Sequence, residues 1–190
     1  PYCDFNSRAA PASLPGKAYV NALLPDLEQD LPLAANRPMS SIFIGGGTPS
    51  LFSAEALQRL LEGIQTRTDW QPGIEITLEA NPGTFEQDKF SAYRALGINR
   101  LSIGVQSFNS NHLQLLGRVH NGDEALRAVQ IARQAGFEHI NLDLMHGLPD
   151  QTLAHAMDDL QQALALDPGH ISWYQLTIEP NTVYWSKPPL

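Results

Sequence analysis

The chain has 190 residues, 43% of them hydrophobic and 17% charged, with a net charge of −8. That length accommodates one domain with a substantial core, and the acidic balance argues against a nucleic-acid face, which needs clustered basic residues. A single cysteine excludes a disulfide framework, the longest apolar runs are too short to span a bilayer, and without a secretory pattern the cytoplasm is the default expectation.

The first amphipathic segment, Gly16–Leu31, reads as a helix that Pro25 must kink or divide. Ser41–Gly45 (SIFIG) reads as the first strand. Ser53–Arg67 follows as a helix, with Ser53 as its cap and Leu57, Leu60, Leu61 and Ile64 on one face. Ile74–Ala80 (IEITLEA) is the second strand. Phe85–Leu96 is expected to be helical, with Phe85, Phe90, Tyr93 and Leu96 inward and Gly97 as its stop. Arg100–Gln106 (RLSIGVQ) is the third strand, and the long segment after it holds two short pieces. Asp123–Ala135 reads as a helix capped by Asp123 and stopped at Gly136. His139–Met145 (HINLDLM) is the fourth strand. Thr152–Leu166 is a helix presenting Met157, Leu160 and Leu164. Ile171–Ile178 (ISWYQLTI) is the fifth strand, and Asn181–Leu190 reads as a loop leaving the fold.

Strands alternating with helices imply an α/β fold with a parallel sheet. Ligands in such folds sit at the carboxyl ends of the strands. Those ends carry Gly45-Gly46-Gly47-Thr48, Glu79 with Asn81-Pro82-Gly83, Gln106-Ser107-Phe108, Asp143 with His146, and Tyr174-Gln175 with Thr177. The glycine run lets a backbone approach a ligand closely, or makes a tight turn. It lacks the Gly-Lys-Ser/Thr of a phosphate-binding P-loop. Glu79 can meet an ammonium or ribose hydroxyls, or form a rim ion pair. Gln106 and Asp143 are either ligand contacts or buried polar groups satisfied inside the fold. Arg118, read alone, is a solvent-facing arginine. His112, His120, His139, His155 and His170 read as surface residues, whereas His146 can face the pocket. No histidine pair has zinc spacing.

Six motifs occur in order: Pro1-Tyr2-Cys3-Asp4-Phe5, Gly45-Gly46-Gly47-Thr48-Pro49-Ser50, Glu79-Ala80-Asn81-Pro82, Gly104-Val105-Gln106-Ser107-Phe108, Leu115-Leu116-Gly117-Arg118 and the run Asn141–Pro149. Together they resemble the radical S-adenosylmethionine (SAM) proteins of the oxygen-independent coproporphyrinogen III oxidase family, and its heme-chaperone branch most closely. The resemblance covers essentially the whole chain. It implies a partial parallel β/α barrel of the radical SAM type, with the first strand missing, spanning residues 1–180. Residues 181–190 would begin a linker to a further region.

The resemblance also implies cofactors. The family holds a [4Fe–4S] cluster through three cysteines spaced C-x3-C-x2-C, and SAM chelates the open iron. Cys3 matches the third cysteine as a metal ligand. The first two do not occur in this sequence, so the chain is expected to lack a stable cluster. Tyr2, Gly46, Gly47, Thr48, Glu79, Gln106, Arg118, Asp143 and Thr177 match positions around SAM. Phe5 stands where the authentic oxidase branch carries an additional cysteine. The implied function is therefore heme binding and delivery to an acceptor protein. The alternatives are radical oxidative decarboxylation of coproporphyrinogen III and an unrelated phosphate-binding barrel. Whether the protein is an enzyme stays open.

Overall fold

A computed structural model describes residues 1–5, 14–84 and 86–189. Its elements in chain order are α1 (Gly16–Asp30), β1 (Met39–Ile44), α2 (Ala54–Gln65), β2 (Trp70–Ala80), α3 (Gln87–Ala95), β3 (Arg100–Gln106), α4 (Ser110–Leu115), α5 (Gly122–Gln134), β4 (His139–His146), α6 (Leu153–Ala165), β5 (Gly169–Gln175) and α7 (Val183–Ser186). The five strands pair in sequence order and all run parallel. The result is the expected partial β/α barrel.

Strand parity sorts the two faces of the sheet. Ile76 and Leu78 on β2, Leu101, Ile103 and Val105 on β3, and Ile140, Leu142 and Leu144 on β4 are buried. They form one core with Leu57 and Leu61 of α2, Phe90 and Tyr93 of α3, and Ala125, Ala128, Val129 and Ala132 of α5. Three alanines on one face of α5 allow a close approach to the sheet. The alternate residues build a polar inner wall. Arg100 donates to Thr77 Oγ1 at 3.3 Å. Asn141 donates to Ser102 Oγ and to Asp143 Oδ1, each at 2.8 Å. Ser172 and His170 meet Asn141 Oδ1 from β5. A barrel with a polar interior leaves room for a polar ligand, unlike one filled by layers of aliphatic side chains.

Of the two outcomes expected at Pro25, division does not occur: α1 is one helix with Pro25 inside it. The helix forgoes one backbone bond there but is anchored on both sides of Pro25, to α2 and to the residues just after it. Arg59 donates to Asn21 Oδ1 at 2.7 and 2.9 Å, and Arg67 meets Glu28 at 2.7 Å. Several other expectations are corrected. α5 is capped by Asn121, not Asp123. Asn121 Oδ1 accepts from the Glu124 N–H at 3.0 Å, and Glu124 Oε2 accepts from the Asn121 N–H at 2.8 Å. This reciprocal pair satisfies two end groups, which Asp123 could not do. The buried residues of α6 are Asp159 and Ala163. Met157 and Leu164 are exposed, because the helix docks through its carboxylate rather than its leucine face. β5 ends at Gln175 instead of Ile178.

His112 and His120 are both 3% exposed, contrary to a surface placement. They lie in the connection after β3, where His120 Nε2 meets Val105 O at 3.0 Å. The segment after Asn181 contains α7 and turns back onto the fold. Tyr184 N–H donates to Pro1 O at 3.0 Å, and Tyr184 OH donates to Leu115 O at 2.7 Å. Its ring joins Leu116, Met145, Leu148 and Leu176 in a small apolar cluster. The expected inward position of Phe85 lies outside the described residues. Among the described residues, no helix is long and apolar enough to cross a membrane.

Candidate functional site

A cleft of about 250 Å³ opens at the carboxyl ends of β1 to β4. Each strand ends by releasing a polar side chain or a stretch of bare backbone into it. β2 delivers Glu79, two residues beyond Thr77 on the inner face. β3 delivers Ser102, Gly104 and Gln106, and β4 delivers Asp143. Gly47 and Pro49 come from the loop after β1, Arg118 from the connection after α4, and Tyr174 from β5.

Glu79 Oε2 accepts from the Gly46 N–H at 3.1 Å, which ties the glycine loop to β2. Burial pushes the Glu79 carboxyl above its ordinary range, the Gly46 bond opposes this, and the nearby Asp143 adds to it. Asp143 is also pushed up, chiefly by burial, against bonds from Asn141, Ser102 and Ser172. The two carboxylates therefore share an environment that favours arrival of a cation. Tyr174 OH donates to Gln106 Oε1 at 2.7 Å, and burial raises this phenol to about 12. Arg118 Nη2 donates to Asn81 Oδ1 at 2.6 Å and to Gly104 O at 3.2 Å.

Gly104 forms part of the floor. A Cβ there would lie 3.1 Å from Gln106 Nε2, 3.2 Å from Asn81 Oδ1 and 3.5 Å from Arg118 Nη2. The site thus combines acceptors, a guanidinium and an amide around a floor kept open by one glycine. Such a set suits a small zwitterionic or hydroxyl-rich ligand.

Of the residues singled out in the sequence, Gly47, Glu79, Gln106, Arg118 and Asp143 line the cleft together. Gly46 stands behind Glu79, and Thr48 Oγ1 accepts from Asn81 Nδ2 at 3.4 Å, one step from the lining. Tyr2 packs against the apolar cluster around Tyr184. Thr177 is exposed beyond the end of β5 and does not line the cleft. His146 packs edge-on against Trp173, with ring centroids 5.0 Å apart, and likewise does not line it. Cys3 is exposed. Phe5 and Ser102 also line the cleft, as do Asn81 and Tyr174, which the sequence placed at strand ends without assigning them to the ligand. Strand parity alone would have found two of these: Ser102 shares a face with Gln106, and Tyr174 with Ser172.

The comparisons agree with this architecture. The radical SAM superfamily profile matches residues 1–162. The heme chaperone HemW of Haemophilus influenzae is 55% identical over 193 residues, covering all of this chain and 50% of that protein. HemW of Escherichia coli is 54% identical over 190 residues, with the same coverage. The chain spans about half the length of these curated relatives. Among solved structures, the Escherichia coli coproporphyrinogen III oxidase HemN, a radical SAM enzyme, superposes with a TM-score of 0.82 at 30% identity. That match covers 94% of this chain and 41% of HemN. With a parallel β/α barrel fold, a polar cleft at its strand ends and a family profile running through most of its length, the chain belongs to the radical SAM superfamily.

Proposed function

We propose that this chain is the SAM-binding half of a heme chaperone. In the full-length protein it would bind heme and hand it to an acceptor protein. The observation carrying the SAM part is the convergence of Glu79, Gln106, Arg118 and Asp143 on one cleft. The donor set fits SAM. Glu79 and Asp143 offer acceptors to an ammonium or ribose hydroxyls, Arg118 offers a cation to a carboxylate, and Gln106 offers an amide to a polar edge. Gly46, Gly47 and Thr48 bring backbone groups to the same rim, and the open floor at Gly104 admits the ligand. Tyr2 and Thr177 are the outlying members of the proposed set.

The cluster is a different matter. Cys3 is the only cysteine in the sequence. Among the described residues, no group of three or more His, Cys, Asp or Glu side chains is placed to hold a metal ion. The residues present therefore do not fit a [4Fe–4S] cluster. Cys3 remains the proposed contribution of this chain to such a cluster in a longer protein.

The heme part rests on the similarity to proteins named heme chaperones and on Phe5, which stands in place of the oxidase branch's cysteine. Two experiments on the full-length protein test the reading. Calorimetry should register SAM binding. Heme should pass to an acceptor protein without vinyl-group formation on coproporphyrinogen under anaerobic reducing conditions. Decarboxylation would instead assign the protein to the oxidase branch.

A further inference from the structure

Gln106 is the last residue of β3 and has φ of +67°, a conformation that residues other than glycine rarely adopt. The Ser107 N–H donates back to Val105 O at 2.9 Å. Gln106 is thus the centre of a γ-turn of the strained, positive-φ kind. The register between β3 and β4 slips at the same point, between Ile103 and Gln106. Strain of this sort persists only where the surroundings impose it, and it collects at ligand sites.

The imposing group is on another β/α unit. Asp159 of α6 is 1% exposed. Its Oδ2 accepts from Ser107 Oγ at 2.7 Å, and its Oδ1 accepts from the Phe108 N–H at 2.7 Å. Ser107 Oγ in turn accepts from the Asn109 N–H at 3.0 Å. Both carboxylate oxygens therefore grip the backbone and side chain just after the turn. On the opposite side of the turn, the Gln106 side chain enters the cleft and meets Tyr174. Burying a carboxylate is costly unless its bonds are well made. Here both oxygens are bonded, and without them the buried Phe108 N–H and Ser107 hydroxyl would lose their acceptor.

We propose that Asp159 is a positioning residue for the cleft: its carboxylate holds the γ-turn from behind and so aims Gln106 at the bound ligand. The proposal rests on the SAM reading of the cleft for its ligand, but the clamp itself exists without one. It also makes the aim of Gln106 depend on the docking of α6, whose other buried residue is Ala163.

The test uses the full-length protein and four variants: Asp159→Ala, Gln106→Ala, the double substitution, and Ser107→Ala. In the ligand-free protein, the Gln106 side-chain amide resonance is identified by its loss in Gln106→Ala. It should move toward the position of a free glutamine in Asp159→Ala and shift the same way in Ser107→Ala. SAM affinity by calorimetry should fall about tenfold in Asp159→Ala, as expected for losing the one hydrogen bond that Gln106 makes to the ligand. The same substitution should cost less than about twofold when Gln106 is already alanine. Equal losses in both backgrounds, or an unmoved Gln106 resonance, would overturn the proposal. If Asp159→Ala does not fold, Ser107→Ala and Asp159→Asn carry both measurements. If the unsubstituted protein does not bind SAM, the cofactor reading fails, and the ligand-free resonance alone decides the clamp.

Discussion

Arg118, delivered by the connection after α4, donates through Nη2 to the Asn81 side-chain oxygen at the end of β2, at 2.6 Å. The same nitrogen reaches Gly104 O on β3 at 3.2 Å. One guanidinium thus ties two strand ends together and supplies the cation among the described residues that line the cleft. Arg118→Ala should weaken SAM binding by about tenfold or more, the scale of one lost charge-assisted bond. Arg118→Lys should recover only part of this, because an ammonium cannot present a fork of donors to Asn81 and the ligand at once. Calorimetric titration of the two variants checks both statements.

Glu79 faces the cleft and holds the Gly46 N–H. Glu79→Ala should weaken SAM binding while leaving the barrel folded, since the residue belongs to the polar inner wall and not to the apolar core. The expected loss is about tenfold. Unchanged affinity would remove Glu79 from the site, and a lost far-ultraviolet dichroism signal would show it to be structural.

The carboxyls of Glu79 and Asp143 both titrate above their ordinary values because of burial. In the ligand-free cleft they are charged at high pH and take up protons earlier than usual as the pH falls. A ligand that approaches with an ammonium or sulfonium binds the charged form. Its affinity should therefore be full above the raised values and decline as the pH drops through them, starting above the ordinary carboxyl values of 3.8 and 4.5. Affinity measured against pH checks the direction. Glu79→Gln should flatten the curve.

A Cβ at Gly104 would crowd Gln106 and Asn81 and touch Arg118. Gly104→Ala should therefore reduce SAM affinity more than it reduces thermal stability. The two crowded neighbours are polar side-chain ends that can shift by a few tenths of an ångström, whereas the ligand loses the floor they define. Comparing the binding constant with the melting temperature separates the two effects.

Gly122 opens α5 against the backbone of Phe108. A Cβ there would lie 2.1 Å from Phe108 O. A backbone atom cannot swing aside, so Gly122→Ala should cost about 3 kcal/mol of stability, the upper end for overpacking. A lower urea midpoint at unchanged slope would show this. Tyr93→Phe offers a milder comparison: it removes a buried hydroxyl that donates to Ser50 O and Phe52 O, with an expected loss of about 1–2 kcal/mol.

Strand existence and order were legible because each apolar stretch carried β-branched residues and stopped near Gly, Pro or Asn. Arg100–Gln106 has the bounds expected from its sequence. The caps were legible only where one candidate stood alone. Ser53 caps α2 as expected, whereas the expectation of Asp123 missed Asn121 two residues earlier, whose reciprocal bond with Glu124 makes the cap. The inward face of α6 was misread because helical spacing points to its leucines. The residue that docks it is an acid, whose partners lie 51 and 52 positions away in sequence. His112 and His120 were misread for a related reason: only the path of the chain after β3 determines that they are covered.

The sequence by itself determined the alternation of strands and helices, the parallel order, and the polar residues waiting at the strand ends. The elements follow from local periodicity, which depends on near neighbours, and the parallel sheet follows from their alternation. The tertiary structure decided which of those residues share a cleft. It brought Glu79, Gln106, Arg118 and Asp143 together, added Asn81, Ser102, Gly104 and Tyr174, and left Thr177 and Cys3 exposed outside it. The curvature of the sheet and the strained turn at Gln106 set that selection. Both arise from contacts between distant β/α units, which no local pattern records.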